Sequence, residues 1–76
     1  LKFSFKEQRE FETIDDEIAK LEQALRDCET EMAGCGSDYV KLQELTQRQS
    51  ELEKQLEEKT DRRVYLNELK EQIDAQ

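Results

Sequence analysis

The residues that decide the fold are Ala33-Gly34-Cys35-Gly36-Ser37, which contain the only two glycines of this 76-residue chain. On both sides of this segment apolar side chains recur every three or four residues, a spacing typical of a coiled-coil seam. A loop of about five residues is long enough for one helix to turn back on another. We therefore predict an all-α fold, a two-helix antiparallel coiled-coil hairpin.

The two seams differ in regularity. The N-terminal seam is unbroken and consists of Phe11, Ile14, Ile18, Leu21, Leu25, Cys28 and Met32. The C-terminal seam begins with Leu42, Leu45, Gln49, Leu52 and Leu56. Its next steps hold charged residues, namely Lys59, Arg63 and Lys70, while Val64, Tyr65 and Leu69 lie one residue out of step. We expect the second helix to shift phase or distort in this region.

Local signals set the boundaries within a single domain over residues 1–76. Ser4 and Glu7 have the spacing of a capping box, which begins the first helix at about residue 5. We expect Gly34 to adopt the left-handed conformation and to close this helix at about residue 33. After a loop over about 34–37, Ser37 or Asp38 caps the second helix, which runs over about 38–75.

Folding about the loop gives a predicted register. It pairs Leu25 with Leu45 and Ile18 with Leu52, and it directs Phe3 and Phe5 toward the last turns of the second helix. On the exposed faces we expect ion pairs between residues four apart, such as that of Glu58 with Arg62, each contributing about 0.2 to 0.5 kcal/mol.

Composition excludes several classes of protein. The chain is 42% charged, has a net charge of −8 and contains no His, Pro or Trp. A chain this small encloses only a thin core, so we predict no catalytic residues. Without His, Cys28 and Cys35 do not complete an ordinary zinc site, and we predict no metal and no disulfide. No apolar run is long enough to span a membrane and no signal peptide is evident, so we expect a cytoplasmic protein.

Positive charge concentrates in two segments that the hairpin brings together. Residues 1–9 hold three cations against one acid, and residues 59–70 hold four against two. These seven residues are our candidate nucleic-acid-binding set: Lys2, Lys6, Arg9, Lys59, Arg62, Arg63 and Lys70. Nearby aromatic side chains either stack on unpaired bases or complete the core, and both interpretations stay open for Phe3, Phe5 and Tyr65.

The two ends of the chain also resemble a known family. The segment from Lys2 to Glu12, KFSFKEQREFE, closely resembles the K-x-S-Y/F-K-E-Q-R-E opening of the C-terminal domain of ABC-F ATPases, the Uup-like branch in particular. The segment from Asp61 to Leu69, DRRVYLNEL, is similar to the closing E-R-W-E-Y-L-E-x-L of that domain. Arg63 stands where the family often has Trp, and Val64 replaces an acidic residue.

The resemblance implies an accessory coiled-coil domain of a protein with two tandem ATP-binding cassettes, where ATP and Mg would bind. This chain has no G-x-x-x-x-G-K-[ST] phosphate loop, so we expect no enzyme activity from it alone. Family members act on ribosomes in translation or in antibiotic resistance, and the Uup-like domain is associated with DNA binding. The implied partners are therefore DNA or ribosomal RNA, and the ribosome. We expect no membrane contact and a monomer.

Two other functions remain open at this stage. The chain is either a structural or protein-interaction arm without nucleic-acid affinity, or a homo-oligomerising coiled coil. The long seams favour the second of these, with Gln49 as a polar residue that sets the register.

Overall fold

A computed structural model describes all 76 residues as two α-helices joined by one short loop. Helix α1 spans Phe5–Ala33 and helix α2 spans Tyr39–Asp74. They pack side by side in an antiparallel rod of 59 × 17 × 14 Å. The side chain of Gln76 donates a hydrogen bond to the carbonyl oxygen of Leu1, so both ends of the chain lie together. The predicted all-α hairpin is confirmed.

Each helix begins at a side-chain cap. The Ser4 hydroxyl accepts a hydrogen bond from the Glu7 backbone N–H at 3.1 Å, and the Glu7 carboxylate accepts one from the Ser4 N–H at 2.9 Å. This is the predicted capping box. At the start of α2 the Asp38 carboxylate accepts from the Lys41 N–H at 3.1 Å, which selects Asp38 over Ser37 as the cap. Both caps satisfy backbone donors that lack a partner within the helix.

The loop differs from the sequence prediction at its glycines. Gly34 is not left-handed; it has φ −91° and ψ −1°. The N–H of Gly34 donates to the Glu31 carbonyl at 3.1 Å, and that of Cys35 to the Met32 carbonyl at 3.3 Å. These tightened turns end α1 without a left-handed residue. The left-handed position is Gly36, with φ 59°, which lies inside the predicted loop.

The core is a single strip along the helix contact. Its five buried residues are Ile14, Ile18, Cys28, Leu45 and Leu66. Leu66 is fully buried and clusters with Ile14 and Ile18, and Phe3, Phe11 and Leu56 pack around this cluster. Nearer the loop, the Cys28 thiol donates to the Leu45 carbonyl oxygen at 3.3 Å. The strip thus continues from the chain ends toward the loop.

The helix register is shifted from the predicted one. The prediction pairs Leu25 with Leu45, whereas the hydrogen bond of Leu45 is to Cys28, one turn nearer the loop. Ion pairs further along the rod show a shift in the same direction, since Lys59 contacts Glu17 rather than the turn around Phe11.

The expected phase shift in α2 does not occur. The helix is uninterrupted, and its seam continues in step to Leu66, whereas Val64 and Tyr65 are exposed. Lys59, Arg63 and Lys70 are half-buried at the seam steps. Long basic side chains cover apolar surface with their aliphatic stems and keep their charged ends in water. The seam therefore tolerates these residues without a change of helical phase.

Replacing Leu66 tests the position of the core. We expect Leu66→Ala to lower the free energy of unfolding by about 2 to 5 kcal/mol, because the side chain is fully buried. Val64→Ala, two residues away and half exposed, should change it by less than about 0.5 kcal/mol. Urea unfolding followed by circular dichroism at 222 nm measures both. Equal effects would contradict the assigned seam.

The two glycines should respond to alanine with opposite signs. A Cβ at Gly34 meets only ordinary contacts, the nearest at 3.6 Å, in a backbone conformation open to alanine. Gly34→Ala should raise the free energy of unfolding by about 0.4 to 1 kcal/mol through the lower entropy of the unfolded chain. Gly36→Ala should lower it by about 1 to 2 kcal/mol because of the left-handed φ. The same urea titration separates them, and stabilisation by Gly36→Ala would refute the assigned turn.

Candidate nucleic-acid interface at the open end

We call the part of the rod that holds both chain ends, residues 1–17 and 59–76, the open end. All seven basic residues singled out in the sequence lie there, but in two different states. Four of them form ion pairs, and three do not. This division decides which positive charges are available to a ligand.

The four paired residues all belong to α2. The Arg62 guanidinium binds Glu10 through two hydrogen bonds of 2.9 and 3.0 Å, and Lys59 Nζ lies 2.8 Å from Glu17. The remaining pairs are Arg63 with Asp15 at 3.5 Å and Lys70 with Asp74 at 3.1 Å. All four acidic partners lie outside the two segments counted as basic in the sequence. Folding therefore offsets much of the positive charge that those segments carry.

Arg62 corrects one predicted pair. The sequence suggests Glu58 as its partner, but the guanidinium turns across the interface to Glu10. A bidentate carboxylate contact is stronger and more directional than an exposed pair within one helix. The acidic residues of α1 that fulfil this role were not identified from the sequence, because a helix repeat does not show which turns of the second helix lie opposite.

A second contact joins Arg62 and Tyr65 to the start of α1. The Tyr65 hydroxyl donates to the Glu7 carboxylate at 2.7 Å, and the Arg62 guanidinium carbon lies 4.7 Å from the centre of the Tyr65 ring. Glu7 also completes the capping box at Ser4. One carboxylate thus links the first turn of α1 to α2, which fixes the aromatic ring of Tyr65 in place.

These contacts shift the pKa values of the groups involved. The hydrogen bond from Arg62 lowers the pKa of Glu10, and the same bond raises the pKa of Arg62. The Ser4 backbone N–H and then the Tyr65 hydroxyl lower the pKa of Glu7, while Glu7 raises the pKa of Tyr65. Around neutral pH the network therefore holds ionised carboxylates, a charged guanidinium and a protonated phenol.

The three unpaired cations are Lys2, Lys6 and Arg9, all exposed at the start of the chain. None forms a salt bridge with a carboxylate. Arg9 and Lys6 line one shallow depression together with Phe5. The Arg9 guanidinium carbon lies 5.9 Å from the centre of the Phe5 ring. This group combines free positive charge with an aromatic surface.

The aromatic residues of the open end separate into distinct environments. Phe3 is half-buried, and its ring centre lies 5.2 Å from that of Phe11, so it completes the core. For Phe5 the sequence left both core packing and stacking open, and the ring is 80% exposed, outside the core. The sequence held the signal for this difference: counting back from Phe11 in steps of four and three reaches Glu7 and Ser4, which leaves Phe5 out of step.

No group of three or more Cys, Asp and Glu side chains is close enough together to hold a metal ion. Neither helix combines the length and the apolar character needed to cross a membrane.

Comparison with known proteins gives a consistent relationship. The family model of the ABC transporter C-terminal domain matches residues 2–68. The chain is 36% identical over 74 residues to YfmR of Bacillus subtilis (strain 168), described as an uncharacterized ABC transporter ATP-binding protein. The aligned region covers 97% of this chain but 12% of that relative. No solved structure matches the chain.

The pH dependence of the Glu10 contact is testable. A carboxylate whose pKa is lowered by folding contributes stability above its ordinary pKa of 4.5, and this contribution disappears as the pH falls through the lowered value. Glu10→Gln should therefore lower the free energy of unfolding by about 0.5 to 1 kcal/mol at pH 7 and by almost nothing at pH 2. Urea titrations at both pH values measure this difference.

Glu53→Gln is the matched control, since Glu53 is exposed on α2 and forms no ion pair. It should show no comparable loss at pH 7. If Glu10→Gln were equally destabilising at both pH values, the Arg62 contact would not be the cause.

Proposed function

The chain belongs to the ABC transporter C-terminal domain family, and we propose that it is the accessory coiled-coil domain of a Uup-like ABC-F ATPase that contacts nucleic acid through its open end. The observation that carries the proposal is the group of three unpaired cations, Lys2, Lys6 and Arg9, beside the exposed ring of Phe5. The similarity of the first and last segments to the ABC-F pattern supports the subfamily.

In this proposal the ATP and Mg sites lie in the cassettes of the whole protein. The chain spans 12% of the length of its Bacillus subtilis relative, which is described as an ATP-binding protein. Its own contribution is to bind and orient a partner, DNA or ribosomal RNA, in a protein that acts on the ribosome, in translation or in antibiotic resistance. The two unpaired thiols fit a reducing compartment, the cytoplasm.

The division of the basic residues suggests different roles. Lys2, Lys6 and Arg9 are free to bind phosphate oxygens and to release counterions from the nucleic acid. Lys59, Arg62, Arg63 and Lys70 already hold carboxylates. We assign Lys59, Arg62 and Arg63 mainly to aligning the two helices, with phosphate contacts formed only where an ion pair opens. Lys70 pairs with Asp74 within α2 and does not align the helices.

The net charge of −8 includes −3 at the open end, which holds seven Lys and Arg against ten Asp and Glu, so binding depends on the local group of Lys2, Lys6 and Arg9 rather than on the net charge of that end. The rod is 59 Å long, whereas charges are screened over about 8 Å at physiological salt. Acidic residues near the loop therefore have little effect on a phosphate at the open end. The nucleic acid would approach end-on, with the loop pointing away from it.

A second candidate function is a protein-interaction arm. At the loop end Tyr39 and Val40 are 77% and 70% exposed, which favours an apolar contact with a protein there. Oligomerisation through the seam has less support, because packing between α1 and α2 already occupies that seam within one chain. A monomer with two distinct ends is the arrangement we propose.

The salt dependence of the binding constant tests how many basic side chains contact phosphates. We expect a fluorescently labelled single strand to bind with a slope of log K against log salt of about −2, since three phosphate contacts each contribute about 0.7. Participation of all seven basic residues would give about −5. Fluorescence anisotropy between 50 and 200 mM salt measures this slope.

A matched pair of substitutions locates the contact. Lys6→Gln should weaken binding and reduce the magnitude of the slope by about 0.7, the share of one phosphate. Lys54→Gln removes an equally exposed, unpaired charge from the middle of α2 and should have no effect. Absence of salt-sensitive binding, or equal losses in the two variants, would refute the proposal and favour the protein-interaction arm.

A further inference from the structure

The exposed ring of Phe5 has no role in the core. Phe3 and Phe11 pack against the buried cluster, whereas Phe5 is the first residue of α1 and lies outside the seam. A single exposed apolar side chain is common on protein surfaces and needs no explanation by itself. What distinguishes Phe5 is its position among the three unpaired cations of the open end.

We propose that Phe5 and Arg9 form a stacking platform for one unpaired base, so that the open end binds single-stranded nucleic acid in preference to a duplex. This inference rests on the proposed function and specifies the ligand of the same surface. The base would lie on the Phe5 ring, while Lys6 and Lys2 bind the neighbouring phosphates.

The geometry supports a platform. Arg9 is one helical turn after Phe5, and its guanidinium carbon lies 5.9 Å from the ring centre, at the outer limit of a cation–π contact. Because 80% of Phe5 is exposed, most of its surface stays available to a ligand. Lys6 and Arg9 line the same depression as the ring, together with Glu10 and Glu17. Arg62 and Lys59 bind those two carboxylates, so the unpaired charges beside a stacked base are positive.

No other aromatic residue offers this combination. Phe3 is half-buried in the core. The Arg62 guanidinium carbon already lies 4.7 Å from the centre of the Tyr65 ring, and the Tyr65 hydroxyl donates a hydrogen bond to Glu7. Tyr39 is as exposed as Phe5, but the depression it lines contains no Lys or Arg. An aromatic face with free cations beside it therefore occurs once, at Phe5.

The ligand class follows from this chemistry. In a duplex the base faces are stacked on their neighbours, so only an unpaired base presents a face to a protein ring. The backbone N–H groups of Ser4 and Glu7 are already bound by the capping box. The unpaired side chains of Lys2 and Lys6, together with the N–H groups of Phe5 and Lys6 in the first turn of α1, remain to hold phosphates. A single strand, of either RNA or DNA, meets both requirements.

The test compares strands with and without bases, RNA with DNA, and single strands with a duplex. The 76-residue chain is titrated with dT6, with U6 and with a six-unit abasic strand that keeps the same phosphates, and with a 12-base-pair duplex. We expect dT6 or U6 to bind about 5- to 150-fold more tightly than the abasic strand, the range expected for stacking of one base. The duplex should bind more weakly than the single strands. A preference between U6 and dT6 identifies RNA or DNA as the natural source.

Substitutions assign the effect to Phe5. In Phe5→Ala the ratio between dT6 and the abasic strand should fall toward one, while the salt slope stays unchanged because no phosphate contact is lost. Tyr39→Ala removes an equally exposed aromatic ring at the opposite end of the rod and should leave the ratio unchanged. Circular dichroism of Phe5→Ala should show full helicity, since the ring is outside the core.

The outcomes separate this inference from the proposed function. If no strand binds, the proposed function fails and the platform fails with it. If the normal and abasic strands bind equally and Lys6→Gln weakens both, nucleic-acid binding stands but the stacking platform is wrong. Equal losses in Phe5→Ala and Tyr39→Ala would also overturn the platform.

Discussion

Two helices without a third element can bury only the strip where they touch, and this constraint governs the whole rod. Leu66 is fully buried because Ile14 and Ile18 cover it, with Phe3 closing the strip at the end of the chain. Only five residues are buried, so no layer of the molecule lies behind them. In this rod, side chains at the edges of the strip therefore do what buried core residues do in a larger protein. They cover apolar surface, and they determine which turns of the two helices meet.

The ion pairs at the edges contribute more to register than to stability. Exposed pairs contribute about 0 to 1 kcal/mol each, which is small for a domain that must hold two long helices together. Three of the four pairs join α1 to α2, however, and each is satisfied in one register only. The bidentate contact of Arg62 with Glu10, supported by the Tyr65 ring and by Glu7, is the most directional of them. Because Arg62 already binds Glu10, the unpaired positive charges of the open end are those of Lys2, Lys6 and Arg9, at the start of α1 and just before it.

The periodicity of the sequence was enough to predict the hairpin, the capping box and the core strip, because each depends on residues close together in the chain. The register was not predictable in the same way. A three-four repeat specifies which face of a helix is buried but not which turn of the partner lies opposite. The seven basic residues were recognisable as a group, but their pairing depends on Glu10, Asp15 and Glu17, which meet them only in the folded chain. Phe5 departs from the three-four repeat, and this departure agrees with its exposure, whereas its place in the chain beside the core residue Phe3 did not distinguish core packing from stacking.

The length of the rod gives its two ends separate electrostatic environments. At physiological salt a charge acts over about 8 Å, a small part of the 59 Å between the ends. The open end presents free cations and an aromatic ring, whereas the loop end presents Tyr39 and Val40. Substitutions at one end are too distant to alter the field at the other, so the two surfaces can serve different partners without interfering. In the proposed function the open end would hold nucleic acid while the loop end would remain free for a protein, and the intervening turns would act as a spacer.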